Sequence, residues 1–110
     1  MKNEYYILSE NETIYRIPFK KIIRLEASGA LTILHLIKDK PQIDSINIGG
    51  ALKKLNGAIT FFQTHKSHIV NMQHIKCYKK TEGGYALMSD NSHVPVAEAR
   101  KPAFIKWYTA

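Results

Sequence analysis

Phe61-Phe62-Gln63-Thr64-His65-Lys66-Ser67-His68-Ile69-Val70-Asn71 is the most informative stretch of the chain. Its apolar ends, Phe61-Phe62 and Ile69-Val70, can anchor strands in a core. Its middle, Gln63 to His68, is densely polar and reads as a loop or edge between them. That middle holds hydrogen-bonding groups of several lengths. Lys66 can meet a phosphate oxygen as a point charge, and Thr64 and Ser67 can give short neutral hydrogen bonds to phosphate or sugar. Asn71 is expected to bond the backbone of a turn rather than a ligand.

Outward from this stretch, most of the chain alternates with period two, and β-branched and aromatic residues fill the apolar positions. Glu4–Ser9 and Thr13–Pro18 read as strands around the turn Glu10-Asn11-Glu12. Lys20–Ala27 and Leu31–Lys38 read as strands around Ser28-Gly29, where glycine accepts the positive φ of a tight reversal. In the second of these, Thr32, Leu34 and Leu36 share one face. Gln42–Ile48 follows the turn Asp39-Lys40-Pro41, with Ile46 and Ile48 on one face. Gly49–Leu55 is predicted to be a short helix, with Leu52 and Leu55 inward and Gly57 as its stop. Phe61–Thr64, His68–Asn71, Ile75–Lys80, Tyr85–Ser89 and His93–Val96 are further strands. A short C-terminal helix from about Pro102 would bring Phe104, Trp107 and Tyr108 to the core. The predicted fold class is mainly β: antiparallel strands in small sheets, one short internal helix and a short C-terminal helix. With no long helix between strands, a parallel α/β sheet is not expected.

The chain has 110 residues, one domain's length, and 45% hydrophobic content, enough for a modest core. Its formal charge is +7, which points to a polyanionic partner. The first fifty residues hold seven basic and six acidic groups, and the remainder nine basic and three acidic. The basic excess therefore lies after residue 50. The single cysteine, Cys77, rules out an internal disulfide and fits a reducing compartment. No apolar run is long enough for a membrane helix, and Met1 to Glu12 lacks the pattern of a secretory signal. The expectation is a soluble cytoplasmic protein.

Chemistry other than binding finds little support. His65-x2-His68 and His74-x2-Cys77 invite zinc, but on an extended strand residues i and i+3 point to opposite faces. Each pair could converge only across a tight turn, and no glycine lies inside either pair. Cys77 has no assignable Asn or Asp to orient a histidine base, so a packed thiol is the simpler reading. No paired carboxylates stand out, and no phosphate-cradling glycine loop leads from a strand into a helix. No catalytic residue, metal or cofactor is assigned, and the chain reads as a binding module.

The stretch from Phe62 to Asn71 resembles the signature of LytTR-type DNA-binding domains, in which a Phe, a His, a basic residue and a Ser precede an apolar pair and an Asn. Further pieces are co-linear with that family. Ile22-Ile23-Arg24-Leu25-Glu26-Ala27 resembles its early strand ending in Glu-Ala, and Leu31–Leu36 the next strand. Gly50–Leu55 resembles its short helix, Val94-Pro95-Val96 its last strand, and Arg100-Lys101 the basic residues beyond. The match runs from about residue 14 to 108 within a single domain spanning 1–110. It implies a β-rich fold that places loops, not a recognition helix, in successive major grooves, as the output domain of a bacterial transcription regulator. It also implies double-stranded DNA as partner, with paired direct repeats, a dimer on DNA and a receiver domain in the full-length protein.

Carried over residue by residue, the contacting groups are Ser28, Gly29 and Ala30, then His65, Lys66, Ser67 and His68, then Arg100 and Lys101. Lys53, Lys54, Lys79 and Lys80 are secondary phosphate candidates. The sequence departs from the family in two places. Ala30-Leu31 stand where Asn-Tyr is frequent, and Ala97-Glu98 where Ser-Arg is frequent. Ala and Leu can touch only a thymine methyl, and Glu98 replaces a cation with an anion. A protein-interaction or sensory β module with no DNA role is the rival expectation.

Overall fold

The computed structural model describes residues 4–110. The period-two pattern becomes ten strands: β1 (Tyr5–Glu10), β2 (Thr13–Pro18), β3 (Ile22–Ser28), β4 (Leu31–Leu36), β5 (Gln42–Asp44), β6 (Phe61–His65), β7 (His68–Asn71), β8 (Ile75–Lys79), β9 (Tyr85–Met88) and β10 (His93–Pro95). The helices are α1 (Ile48–Lys54) and α2 (Lys101–Tyr108). All strand pairs are antiparallel. The central sheet runs β5-β4-β3-β7-β6, a hairpin is made by β1-β2, and a third sheet runs β10-β9-β8. The mainly β class, the short internal helix and the C-terminal helix all stand as expected from sequence.

Both faces of the central sheet are covered. On one, Leu25, Leu34 and Ile69 meet Tyr6 and Leu8 of the hairpin and Ala51 and Leu55 at α1. On the other, Ile23 and Val70 meet Ala86, Met88 and Val94 of the third sheet and Phe104 of α2. Ile22 and Leu25 face the same core although they are three residues apart. A register slip between Ile22 and Arg24 makes this possible, because one extra residue resets the alternation. Ile22 thus fills one core and Ile23 the other.

Three strand ends differ from the sequence reading by two residues or more, each for a local reason. Lys20 and Lys21 belong to a single 3-10 turn, Phe19–Lys21, that buries Phe19 before β3 begins. β4 ends at Leu36, and Lys38 beyond it takes φ 56°. β5 ends at Asp44, whose buried carboxylate accepts from Tyr6 Oη at 2.6 Å and Lys54 Nζ at 2.8 Å. Burial, and then Asp44, pushes the Tyr6 phenol well above its ordinary range. Asn47 accepts the Gly50 N–H at 2.8 Å and caps α1, so Ile48 is the first residue of a helix, not of a strand. Ile46 and Ile48 still pack on the first core.

α2 opens with Pro102 in its first turn, where the missing N–H does no harm. Its buried Phe104 stacks on Tyr108 and meets Phe62 edge to face. Trp107 Nε1 donates to Ile59 O at 2.6 Å and clips the helix to the loop before β6. No helix among the described residues is long and apolar enough to cross a membrane.

Candidate nucleic-acid interface

Strand order places three of the named segments in a row at one end of the central sheet. The β3–β4 turn carries Ser28, Gly29 and Ala30, all exposed. Gly29 takes φ 60°, the left-handed conformation that the sequence reading assigned to it. The β6–β7 turn, Lys66-Ser67, lies beside it: Ala27 N–H donates to Ser67 O at 2.9 Å, continuing the β3–β7 pairing by one residue. The segment after β10 closes the row, with Ala97 N–H donating to Thr64 O at 2.8 Å. Segments far apart in sequence thus meet through the ends of β3, β7 and β6.

The β6–β7 turn is the most tightly tied of the three. Lys66 is exposed at its tip. Ser67 N–H donates to His65 Nδ1 at 3.1 Å, and Gln63 Nε2 reaches Lys66 O at 3.4 Å. A register slip between Gln63 and His65 places Thr64 as the extra residue. Without it His65 would fall on the same face as Gln63. With it, His65 stands opposite His68, and their ring centroids are 5.5 Å apart. The pair flanks a tight turn, the one arrangement in which these i and i+3 histidines converge. His74 is elsewhere, its Nε2 2.6 Å from Lys20 O. Among the described residues no group of three or more His, Cys, Asp or Glu is disposed to hold a metal.

Arg100 and Lys101 are less free than the sequence suggested. Arg100 is half-buried and donates from one terminal nitrogen to Gln63 O at 3.0 Å, which ties its guanidinium to β6. Lys101 Nζ meets Glu98 Oε2 at 2.5 Å. That bond raises the Lys101 pKa and spends part of its charge on the anion that departs from the family pattern. Leu31 is 39% exposed beside Ala30, so the β3–β4 turn offers small and apolar contacts together with the Ser28 hydroxyl.

Beneath the turns lies a polar network that sequence reading missed. Glu26 accepts from His35 Nε2 at 3.0 Å and lies 3.5 Å from Arg24. Arg24 Nε also donates to Asp90 Oδ2 at 3.2 Å, reaching the β9–β10 turn. The His35 hydrogen bond, helped by Arg24, holds the Glu26 carboxyl below its usual range against the opposing effect of burial. Desolvation does the reverse for His68, opposite Glu26 on β7, and keeps its imidazole below its ordinary range. His68 Nδ1 is buried without a partner. The one sequence signal for this network is Arg24-Leu25-Glu26, two charges flanking a core leucine. Its partners His35 and Asp90 follow only from register.

Part of the basic excess of the second half is tied to partners within the protein. Lys53 and Lys54 sit on α1, and Lys54 is committed to Asp44 and Ile7 O. Lys76 donates to Asn91. Asn71 is internal: it donates to Phe19 O and Ile22 O and accepts from Gln73 N–H, so it fixes the entry to β3 as expected of a turn-bonding residue.

Comparison with known proteins bears on the family and the fold. The family model described as the LytTr DNA-binding domain matches residues 12–109. Among solved structures, the fold is similar to the LytTr DNA-binding domain of a methyl-accepting/DNA response regulator from Bacillus cereus. The TM-score is 0.79, with 23% identity over 96% of this chain and 97% of that one. No curated protein matches the chain.

Proposed function

The chain belongs to the LytTr DNA-binding domain family, and from that premise we propose that it binds specific duplex sites as the output domain of a bacterial transcription regulator. The observation that carries the reading is the row of three segments at one end of the central sheet, tied by Ala27–Ser67 and Ala97–Thr64. Strand ends packed on both faces give such turns a rigid base. In this reading the β3–β4 turn, the β6–β7 turn and the residues after β10 enter successive major grooves. Lys66 and Lys101 meet phosphates, and Arg100 uses the open part of its fork on a guanine. His65, Ser67, His68 and Ser28 supply shorter contacts, while Gly29 and Ala30 allow close approach. The partner is double-stranded DNA with paired direct repeats, bound by two copies, and a receiver domain accompanies this one in the full-length protein. The role is binding rather than catalysis, in the cytoplasm.

A mobility-shift titration tests this. Duplex recovered by selection from a random library should bind more tightly than the unselected pool by about 10³-fold or more. Binding to both should weaken steeply with salt. Equal affinity for the two pools would remove sequence specificity from the proposal.

A further inference from the structure

The hydrogen bond between Ser67 and His65 fixes more than the shape of a turn. Ser67 N–H donates to His65 Nδ1. An amide proton can be accepted only by an unprotonated ring nitrogen, so the proton of the neutral ring resides on Nε2. His65 is only half-buried, and its Nε2, unlike His68 Nδ1, is not among the buried side-chain nitrogens left without a partner. The slip at Thr64 has already turned this ring to the His68 side of the sheet end.

We propose that His65 reads a base edge as a neutral imidazole of one tautomer, with Nε2–H as its single donor, and that protonation of Nδ1 undoes the turn that carries Lys66. The inference rests on the DNA-binding reading above and names how one residue of that site works. A single fixed donor suits the acceptors that purines and thymine show in the major groove. A proton on Nδ1 would face the Ser67 N–H, donor against donor, and the turn must open. Ser67 O holds Ala27 N–H, and Gln63 Nε2 holds Lys66 O, so opening loosens both neighbours.

His68 on β7 faces the His65 ring, and around His68 in turn stand Glu26 and Arg24 on β3 and His35 on β4; Lys66 follows His65 in the turn, and Arg100 is held at Gln63 O. His68 stays uncharged near neutrality because it is desolvated, so no cation on that ring competes with the Ser67 bond. An added charge on His65 would strengthen binding to every duplex alike, and displacement of Lys66 would weaken every duplex alike, whereas loss of the positioned Nε2–H donor falls on the specific site alone. The ratio of specific to random affinity therefore narrows on acidification, whatever happens to either affinity.

The first test uses the 110-residue chain without DNA. Ring nitrogen NMR at about pH 7.5 should show Nδ1 unprotonated and Nε2 protonated; an Nδ1–H tautomer overturns the proposal. The second compares the selected duplex with a scrambled duplex of the same length. The affinity ratio should fall about tenfold on acidification, and a constant ratio overturns the proton-linked part. His65→Asp supplies the control. Its carboxylate can accept the Ser67 N–H as an Asx turn and, being ionised, holds no outward donor. The added negative charge weakens every duplex alike, so the ratio isolates the donor. The Ser67 amide should stay protected from exchange while the ratio drops at neutral pH and no longer changes with acid. An H65D chain that discriminates as well as the parent overturns the donor role. Failure of the parent to bind any duplex at low salt overturns the DNA-binding reading and the donor role with it, and is told apart because the tautomer measurement is made without DNA.

Discussion

At the residue scale, Lys66 and Arg100 differ in what surrounds them, and their substitutions should differ in kind. Lys66 is exposed at the turn tip and acts as a point charge. Lys66→Ala should weaken specific and random duplexes alike and reduce the salt slope by about 0.9. An unchanged slope would take Lys66 out of the interface. Arg100 has a planar fork already braced on Gln63 O. Arg100→Ala should cost about 1–3 kcal/mol on the selected site and relax preference at one base pair. Equal loss on random duplex would assign it to phosphate instead. Glu26 gives a prediction about stability. Its carboxyl titrates below the ordinary value of 4.5 because His35 and Arg24 favour the anion. A group lowered in the folded state adds stability above its unfolded pKa and loses it as pH falls through the folded one. Denaturation midpoints should therefore fall less steeply below about pH 4.5 in Glu26→Gln than in the parent. Parallel acid limbs would show that the His35 contact does not stabilise the fold.

At the element scale, Asn47 does what the period-two pattern hid. Ile46 and Ile48 alternate like a strand, yet the Asn47 side chain takes the Gly50 N–H and starts α1 between them. Asn47→Ala should cost about 1 kcal/mol in chemical denaturation, since it orphans a helix-end donor; no loss would mean that tertiary packing alone holds α1. Strand existence was legible because Leu31–Leu36 and Tyr85–Met88 alternate and are bounded by turn residues. The register slips at Ile22/Arg24 and Gln63/His65 were not legible. A bulge is one extra residue with no composition of its own, and it is fixed by what both cores require. The same limit applies to the site. The His65-Lys66-Ser67 run announced itself, but the bracing of Arg100 by Gln63 and of Arg24 by Asp90 depends on strand neighbours that local spacing does not encode.

At the scale of the whole molecule, the site stands on a sheet clamped between two cores, so distant packing changes should reach it. Phe104 is fully buried in the second core and meets Phe62 on β6, the strand that ends in His65. Phe104→Ala should destabilise the fold by about 3–5 kcal/mol, measured by denaturant unfolding. A cost below about 1 kcal/mol would mean that α2 is a loose appendage. The net charge of +7 has a smaller part in specificity than its size suggests. Lys54, Lys76 and Lys101 are each committed to partners inside the protein, so much of that charge sets general attraction to a polyanion rather than a reading face.

The slip that lets Ile22 and Ile23 serve two cores also sets an order of assembly during synthesis. The first core draws on residues from Tyr6 to Ile69, so its parts are complete soon after β7 leaves the ribosome. The second needs Val94, Val96 and finally Phe104, all made well after Val70. Ile23 and Val70 must therefore wait with one face bare while the rest of the chain emerges. Arrest of translation between Asn71 and Phe104 leaves a half-clad sheet exposed to chaperones and to its own copies, and emergence of α2 completes the second core.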